Sequence, residues 1–186
     1  MLRHKGTQII KTPRLCLRRY KPEDAPTIFK NYATDTRVTK FLSWEPYQEI
    51  SALKEFIAAQ ISAYERPDIY NWVIEYGSQV IGSISVVRND EENESCEIGY
   101  CIGYAFWNRG FVTEALSAVM NDLFREVGYH RICAKHDVGN PASGRVMEKC
   151  RMTYEGRLRG QHKRHDGTHA DVLIYGILSD EFEYHA

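Results

Sequence analysis

One junction constrains the fold of this chain more than any other feature: a strand that turns directly into an amphipathic helix. Residues 96–104 combine aromatic and branched residues with two glycines, which is typical of a strand that bulges or packs closely against other backbone. The next stretch predicts a helix, because apolar residues recur at helical spacing at Val112, Leu116, Val119 and Leu123. Gly128 suits the C-terminal end of that helix. A strand followed at once by a helix favours a layered α/β arrangement.

The rest of the chain alternates between period-two and helical segments. Strands are predicted at 14–18, 70–75, 80–87, 131–135, 152–158 and 172–178, and helices from Lys21, from Ser51 to about Tyr64, and from Asn140 to about Lys149. Polar loops are predicted at 88–93 and 160–168. The order β-α-α-β-β-β-α-β-α-β-β predicts a mixed α/β (α+β) sheet of about seven strands with about four helices on its faces. No repeat or linker divides the chain, so residues 1–186 are predicted to form a single domain.

Charge and cysteine usage disfavour several classes of function. The formal net charge is −1 and no basic stripe is visible, which disfavours a nucleic-acid binder or a protein that binds anionic membranes. The five cysteines are scattered without a C-x-x-C pair, which argues against a disulfide framework or a thiolate zinc site and fits a reducing compartment. Residues 1–6 lead into no apolar run of the signal-peptide kind, and no stretch is long and apolar enough to span a bilayer. We therefore expect a cytoplasmic protein without a membrane partner.

The turn between the central strand and the helix has the properties of an anion site. A helix N-terminus presents free backbone N–H groups and the positive end of the helix dipole, which together bind phosphates. Gly110 lets the backbone approach an anion closely, Arg109 adds charge or points to solvent, and Thr113 adds a hydroxyl group. The residues match neither the P-loop pattern nor G-x-G-x-x-G, so a nucleotide hydrolase and a Rossmann dehydrogenase are disfavoured. Taken alone, one glycine before a helix is also what an ordinary turn requires.

Several segments in the same order resemble the GNAT acetyltransferase superfamily. They are residues 97–102 with Trp107-Asn108-Arg109-Gly110-Phe111-Val112-Thr113-Glu114-Ala115, Thr12-Pro13-Arg14-Leu15, residues 35–42, and Asn140-Pro141-Ala142-Ser143. More narrowly, the tryptophan before the glycine and the Thr-Glu-Ala of the helix resemble the branch that acetylates the N-terminal amines of ribosomal proteins. The resemblance covers about residues 12–178. It implies a mostly antiparallel sheet that splays near its fourth and fifth strands, acetyl-CoA as co-substrate, and no metal.

The resemblance assigns the contacts with acetyl-CoA to three segments. A backbone N–H near Cys101 or Ile102 would polarise the acetyl carbonyl, and the pantetheine arm would pair with the same strand edge. Asn140 would hydrogen-bond the cofactor arm, although an Asn-Pro turn is the alternative. The pyrophosphate would lie on the turn formed by Trp107, Asn108, Arg109, Gly110, Phe111, Val112 and Thr113.

Three positions depart from the family pattern. Val112 is bulkier than the usual last residue of the phosphate turn, and Arg151 stands where a glycine is common. Met147 occupies about the position of the tyrosine that many members use as general acid. The leaving sulfur therefore needs another hydrogen-bond donor. Ser143 is the candidate, with a helix-capping serine near Asn140 as the alternative.

The acceptor amine decides how much help from a base the reaction needs. An α-amine, with a pKa of about 7.7–8, is neutral in roughly one molecule out of six at pH 7, whereas a lysine side chain, with a pKa of about 10.4, is neutral in roughly four out of ten thousand. Glu97 is the candidate base, directly or through water, and a solvated strand glutamate is the alternative. A covalent route through Cys101 is disfavoured, because the superfamily transfers the acetyl group directly and strand cysteines are more often inert apolar residues.

The acceptor side is the least constrained part of the sequence. Trp44, Tyr47 and Tyr70 are candidate residues of an acceptor mouth, although aromatic residues in such places more often simply pack. The acidic stretch 90–94 would attract a cationic acceptor or simply face solvent. A metal is not expected, because the histidines of the last polar loop have no cysteine partners and are predicted to be exposed: His162, His165 and His169.

The favoured function is therefore acetyl-CoA-dependent transfer to a primary amine, with a protein N-terminal α-amine as acceptor. A small amine such as an amino acid, a polyamine or an antibiotic is the first alternative. A non-catalytic acyl-CoA-binding sensor is the second, because the tyrosine is missing at Met147. Members of this family often pair, so a homodimer is one assembly state that the sequence leaves open.

Overall fold

The fold, taken from a computed structural model, is one eight-stranded mixed sheet described for residues 1–183. The order across the sheet is β1-β2-β3-β4-β5-β6-β8-β7, and all neighbours are antiparallel except β5 and β6. Residues 184–186 of the predicted single domain lie outside the described residues. The strands are β1 (Ile10–Lys11), β2 (Cys16–Arg18), β3 (Asn71–Tyr76), β4 (Gln79–Asp90), β5 (Ser95–Ile102), β6 (Arg131–Asp137), β7 (Thr153–Lys163) and β8 (His169–Leu178).

Five α-helices accompany the sheet, and the three predicted before Gly128 are confirmed with small shifts of their ends. They are α1 (Ala25–Ile28), α2 (Thr36–Thr39), α3 (Ile50–Ala63), α4 (Phe111–Asp122) and α5 (Pro141–Lys149). A 3₁₀ turn before α1 and a π turn after it make one continuous helical stretch from Pro22 to Ala33. A π turn also extends α4 to Gly128, whose φ of 90° gives the left-handed end that the sequence predicts.

The helices cover both faces of the sheet and divide its core in two. One apolar cluster joins α4 to the strands through residues that include Cys96, Ile98, Ile132 and Ala134, and we call this side the α4 face. The other cluster joins α1 and α3 to residues that include Val73 and Val80, with Cys101 packed against it, and we call this side the α3 face. Because side chains alternate along a strand, Glu97, Cys133, Lys135 and Asp137 lie on the α3 face.

The sheet splays between β5 and β6, as the resemblance implies for the fourth and fifth predicted strands. The two strands pair only from Ser95 to Glu97 and from Arg131 to Cys133. Beyond that point β5 continues to Ile102 and β6 to Asp137 without pairing to each other in the described structure. The result is an opening in the middle of the sheet, lined on both sides by strand edges.

Two predicted loops are shorter than expected, which corrects the sequence interpretation. The first part of the predicted loop 160–168 is strand, because β7 runs to Lys163 and pairs His162 with Ala170, and residues 164–168 form the hairpin turn. Likewise β4 continues to Asp90, which pairs with Ser95. Both stretches are polar because they form exposed hairpin ends, where polar side chains do not prevent backbone pairing. The short elements β1 and α2 were not predicted. Among residues 1–183, no helix combines the length and apolarity needed to cross a membrane.

Candidate active site

The turn before α4 lies at the open end of the splay, directly after β5. Gly110 begins the helix with φ 76° and ψ 4°, a left-handed conformation that favours glycine. No side chain among residues 1–183 caps this helix end, so the backbone N–H groups of its first turn, at Phe111, Val112 and Thr113, are available to an anion. The structure therefore keeps the geometry of the predicted anion site.

An arginine from the start of the chain braces this turn, and the sequence interpretation assigned it no role. The Arg14 side chain donates to Arg109 O (2.9 Å) and to Glu114 Oε2 (2.6 Å). Glu114 also accepts from the Arg14 backbone N–H (3.0 Å) and from the Thr12 hydroxyl (2.6 Å). A methyl group at Gly110 would lie 3.4 Å from Arg14 Nη2, so the guanidinium stands beside the predicted phosphate position. Two segments distant in sequence, 12–14 and 109–114, thus meet at one turn.

Aromatic side chains hold the rest of the turn. Trp107 Nε1 donates to Ile102 O (2.9 Å), which ties the turn back to the end of β5. The Arg109 guanidinium lies over the rings of Phe111 (5.0 Å) and Tyr76 (5.6 Å), and cation–π contacts of this kind hold a guanidinium in place. Asn108 also has a positive φ of 58°. All the predicted pyrophosphate residues therefore lie in one compact turn.

At the predicted acetyl position, Cys101 and Ile102, the Cys101 side chain makes a polar contact on the α3 face. Cys101 Sγ lies 3.3 Å from Ser83 Oγ. Burial raises the pKa of the Cys101 thiol, so the thiolate that a nucleophile needs is disfavoured. This agrees with direct transfer rather than a covalent acyl-cysteine.

Helix α5 approaches the opening from the α4 face and brings Ser143 to it. Asn140 caps the helix, accepting from the Ser143 backbone N–H (3.4 Å). The hydroxyl of Tyr100 on β5 donates to Ser143 O (3.1 Å) and lies 3.0 Å from Ser143 Oγ. Burial raises the pKa of Tyr100, so this phenol stays neutral. Met147 is a core residue, 1% exposed, and the hydroxyl beside Ser143 comes from Tyr100, which was not predicted.

Glu97 lies on the α3 face, at the closed end of the splay. Both its carboxylate oxygens contact Lys135 Nζ, at 2.9 and 3.1 Å, and its side chain is 16% exposed. It borders an open depression of about 450 Å³ on this face, which Cys133 and Arg131 also line. The candidate base is therefore accessible and is held as an ion pair.

Asp137 ends β6 on the same face, and its fully buried carboxylate collects four contacts. Oδ1 accepts from Gly139 N (2.7 Å) and Arg164 Nη2 (2.6 Å), and Oδ2 accepts from Arg164 Nε (2.8 Å) and His162 Nδ1 (3.0 Å). Burial alone would raise the pKa of Asp137, but Arg164, the Gly139 N–H and His162 outweigh it and hold this pKa well below its usual range. His162 is thus an ordered strand residue, 21% exposed, which corrects the prediction of an exposed loop histidine.

Only part of the predicted acceptor mouth comes together. Trp44 and Tyr47 lie in contact, with ring centroids 5.8 Å apart. Glu45, in the same segment as Trp44 and Tyr47, lies 3.8 Å from His165 of the β7–β8 hairpin, so the hairpin tip and residues 44–47 are adjacent. Tyr70 is elsewhere: it is 1% exposed in the α4-face core, and its hydroxyl contacts His4 Nδ1 (2.9 Å). An acceptor does not reach Tyr70 in this structure, because the ring is enclosed by the core.

No metal centre accompanies these groups in the described chain, since no three His, Cys, Asp or Glu side chains are placed to hold one ion.

Arg151 adopts φ 60° at the end of α5, where the family commonly has a glycine, and pairs with Glu183. The turn after α5 thus forms without a glycine, because Arg151 itself takes the left-handed conformation.

Comparison with known proteins agrees with this geometry. The model of the acetyltransferase (GNAT) domain matches residues 14–153. The uncharacterized N-acetyltransferase YoaA of Bacillus subtilis is 31% identical over 91% of this chain and 96% of its own length. The ribosomal-protein-serine acetyltransferase of Escherichia coli is 24% identical over 78% of this chain and 81% of its own length. Among solved structures, the ribosomal L7/L12 α-N-protein acetyltransferase RimL in complex with coenzyme A superposes with a TM-score of 0.83 at 22% identity, covering 92% of this chain and 98% of that one.

Proposed function

This chain belongs to the GNAT acetyltransferase family, and we propose that it moves the acetyl group of acetyl-CoA to a protein N-terminal α-amine by direct transfer. The observation that carries the proposal is the splay between β5 and β6 with the uncapped N-terminus of α4 at its open end. A strand edge, a phosphate-binding helix end and an entrance from the α3 face meet there.

The residues present fit a coenzyme A thioester. The edge of β5 beyond Glu97 has no strand partner on the β6 side, so its backbone can pair with the amides of an extended pantetheine arm. A backbone N–H near Cys101 or Ile102 would hydrogen-bond the acetyl oxygen, on which negative charge develops during the reaction. The turn from Trp107 to Thr113 would hold the pyrophosphate, because it presents free N–H groups at the positive end of the α4 dipole.

The remaining chemistry is the movement of one proton from nitrogen to sulfur. The amine must lose a proton as it attacks the carbonyl carbon, and the thiolate gains one as it leaves. Ser143 is the proposed hydrogen-bond donor to the sulfur, and the Tyr100 hydroxyl holds its side chain at the opening. Glu97 is one carboxylate on the α3 face that could accept a proton, and both its oxygens contact Lys135 Nζ.

An N-terminal α-amine is the proposed acceptor for two reasons. At neutral pH a useful fraction of an α-amine is already neutral, in contrast to lysine, so a modest base suffices. The Escherichia coli relative and RimL are both named for acetylation of ribosomal proteins, which supports a protein acceptor. Trp44, with Tyr47 beside it, is the proposed contact at the acceptor entrance.

The test is an acetylation screen read by mass spectrometry, in which acetyl-CoA is offered with N-terminal peptides, free amino acids and polyamines. We expect N-terminal peptides to gain about 42 mass units, because one acetyl group replaces one hydrogen in a single transfer. Free thiol should be released in an equivalent amount. Preferential acetylation of free amino acids or polyamines would move the acceptor to the small amines. Calorimetric binding of acetyl-CoA without turnover on any amine would favour the non-catalytic sensor instead.

A further inference from the structure

The register of the splayed strands brings Asp137 opposite the acetyl position. Glu97 and Cys133 are the last paired residues of β5 and β6. Cys101 and Asp137 each lie four residues further along their own strand, so they stand at the same level on opposite sides of the opening. Four is an even number, so both side chains keep the orientation of Glu97 and Cys133 and lie on the α3 face. Asp137 therefore belongs to the part of the molecule where transfer is proposed.

Asp137 fixes the orientation and the tautomer of His162. Its ionised carboxylate can only accept, so His162 Nδ1 carries the hydrogen of the 3.0 Å contact with Oδ2. In the neutral ring, the lone pair is then on Nε2. No residue from 1 to 183 forms a hydrogen bond with that atom, and it is not among the buried unpaired polar atoms. An imidazole held at one nitrogen by a buried carboxylate, with the other nitrogen accessible, is the arrangement of a general base.

The candidate that the sequence favours as base, Glu97, is less well placed. Both its oxygens are bound by Lys135, at the closed end of the splay. Cys101 lies four residues further along β5 than Glu97, which at about 3.3 Å per residue is roughly 13 Å of strand. Contact between Glu97 and an amine at the acetyl carbon would need a chain of waters, whereas Asp137 lies at the level of Cys101 and holds the His162 imidazole on the same face.

We propose that His162 is the catalytic base of the transfer and that Asp137 is its positioning residue. The inference rests on the proposed function. As the amine nitrogen bonds to the acetyl carbon, His162 Nε2 takes one proton from nitrogen. The carbon–sulfur bond then breaks, the electron pair stays on sulfur, and the thiolate takes up a proton. The imidazolium returns its proton to solvent, so the overall change is amine plus thioester to amide plus thiol.

The charged surroundings of His162 come from three elements. Asp137 of β6 contacts the ring, and Arg164 of the hairpin shares that carboxylate. His165 of the same hairpin lies at its tip beside Glu45 of the segment 44–47. Asp171 of β8, which accepts from Arg157 and from Gly160 N, lies on the opposite face, because it alternates with Ala170 and Val172. These groups are common to wild-type protein and a His162 variant, so a comparison of the two isolates the imidazole.

The test compares kcat/KM between pH 6 and pH 9 for wild-type protein, His162→Gln and Glu97→Gln, using the acceptor found in the acetylation screen. The matched control is His169→Gln, an exposed histidine on the partner strand of the same hairpin. We expect His162→Gln to lower kcat/KM about 100-fold at pH 8, the usual order of a general base, with an unchanged Kd for acetyl-CoA. The deficit should shrink toward acidic pH, because a base that already carries a proton in the wild type no longer accepts one from the amine. Titration of the acceptor amine affects all variants alike.

Asp137→Asn tests the positioning role through the split between kcat and KM. It should lower kcat while leaving KM for acetyl-CoA near the wild-type value, and circular dichroism should show that the variant is folded. His162→Gln within twofold of wild type at pH 8 would overturn the inference. A kcat/KM deficit of His162→Gln that is equal at every pH, as a structural role would produce, would also overturn it. A 100-fold deficit that appears only in Glu97→Gln would do the same. Wild-type protein that binds acetyl-CoA and acetylates no amine would overturn the proposed function, and this inference with it.

Discussion

The two sides of the opening are assembled in different ways. The phosphate side is a single run of sequence, Trp107 to Thr113, in which a glycine and a helix start already carry the essential geometry. The proposed acceptor side is gathered from three strands and a hairpin, with Glu97, Lys135, Asp137 and His162 brought onto one face. Local backbone conformation is therefore enough to make the first site. The second exists only when the sheet register is correct.

The largest effect should come from the local side. Gly110→Asp places a carboxylate where the pyrophosphate is proposed to lie, at a position with φ 76°. We expect acetyl-CoA affinity to fall more than 100-fold, which is a loss of roughly 3 kcal/mol or more of binding free energy. The introduced carboxylate repels the pyrophosphate and also accepts hydrogen bonds from the free N–H groups of α4. Isothermal titration calorimetry with acetyl-CoA measures the change.

Gly167→Asp is the matched control for that substitution. Gly167 has a similar φ of 82°, and a methyl group there would meet nothing within 4 Å. Both variants carry the same left-handed strain and the same added charge, so only their location differs. Near-normal affinity in Gly110→Asp, or an equal loss in both variants, would remove the turn as the phosphate site.

This contrast also explains what the sequence could predict. The helix α4 and its glycine turn were predicted because helical spacing and a single glycine are visible within about 20 residues. The pairing of His162 with Asp137 was not, because it depends on β7 continuing to Lys163 and on the register of β6 with β8. A polar run such as 160–168 has the composition of a loop, and only backbone pairing with β8 makes its first four residues, 160–163, part of a strand.

Tyr70 illustrates the opposite error: the sequence predicts it at the acceptor mouth, and the structure buries it in the core. An aromatic residue at the start of a predicted strand is a reasonable candidate for the wall of a binding site, yet the environment of Tyr70 depends on the N-terminal segment that covers it. His4 and the Lys5 backbone N–H both contact the Tyr70 hydroxyl. Residues before the first strand thus decide whether this ring is accessible, and periodicity carries no information about that contact.

The next largest effect is expected at Ser143, which stands between the two sides. Ser143→Ala removes the proposed donor to the leaving sulfur, and a hydrogen bond to a charged group is worth about 1.5–3 kcal/mol. We expect kcat to fall about 10- to 100-fold in steady-state kinetics, with the Kd for acetyl-CoA unchanged. Ser62→Ala, at an exposed position of α3, is the control. Full activity of Ser143→Ala would leave Ser143 as a structural residue of the α5 start.

Arg14 tests whether the phosphate side is as local as its sequence suggests. Arg14→Ala removes the brace on Arg109 O and leaves Glu114 without its cation. We expect KM for acetyl-CoA to rise about tenfold with kcat nearly unchanged, equivalent to about 1.4 kcal/mol of binding. Arg14→Lys should recover part of the loss, because it restores charge but not the two-point geometry.

Arg66→Ala is the control for Arg14, since Arg66 is an exposed arginine paired with Asp68 two residues away. An unchanged KM in Arg14→Ala would mean that the residues from Trp107 to Thr113 hold their conformation without help from the start of the chain. The difference between the phosphate turn, formed by one run of sequence, and the acceptor side, formed by several strands, would then be larger.

The smallest effect is expected at Tyr100, whose hydroxyl contacts both Ser143 O and Ser143 Oγ across the opening. Tyr100→Phe keeps the ring and removes only that oxygen, so Ser143 loses a neutral hydrogen bond worth about 1 kcal/mol. We expect kcat to fall about threefold to fivefold, and the effect should vanish in a Ser143→Ala background, because the two groups act as one unit. A larger loss in Tyr100→Phe than in Ser143→Ala would contradict this order. That result would mean that the Tyr100 phenol donates the proton to the leaving thiolate. A tyrosine of the splayed strand would then act as the general acid, in place of the tyrosine that many family members have in the last helix.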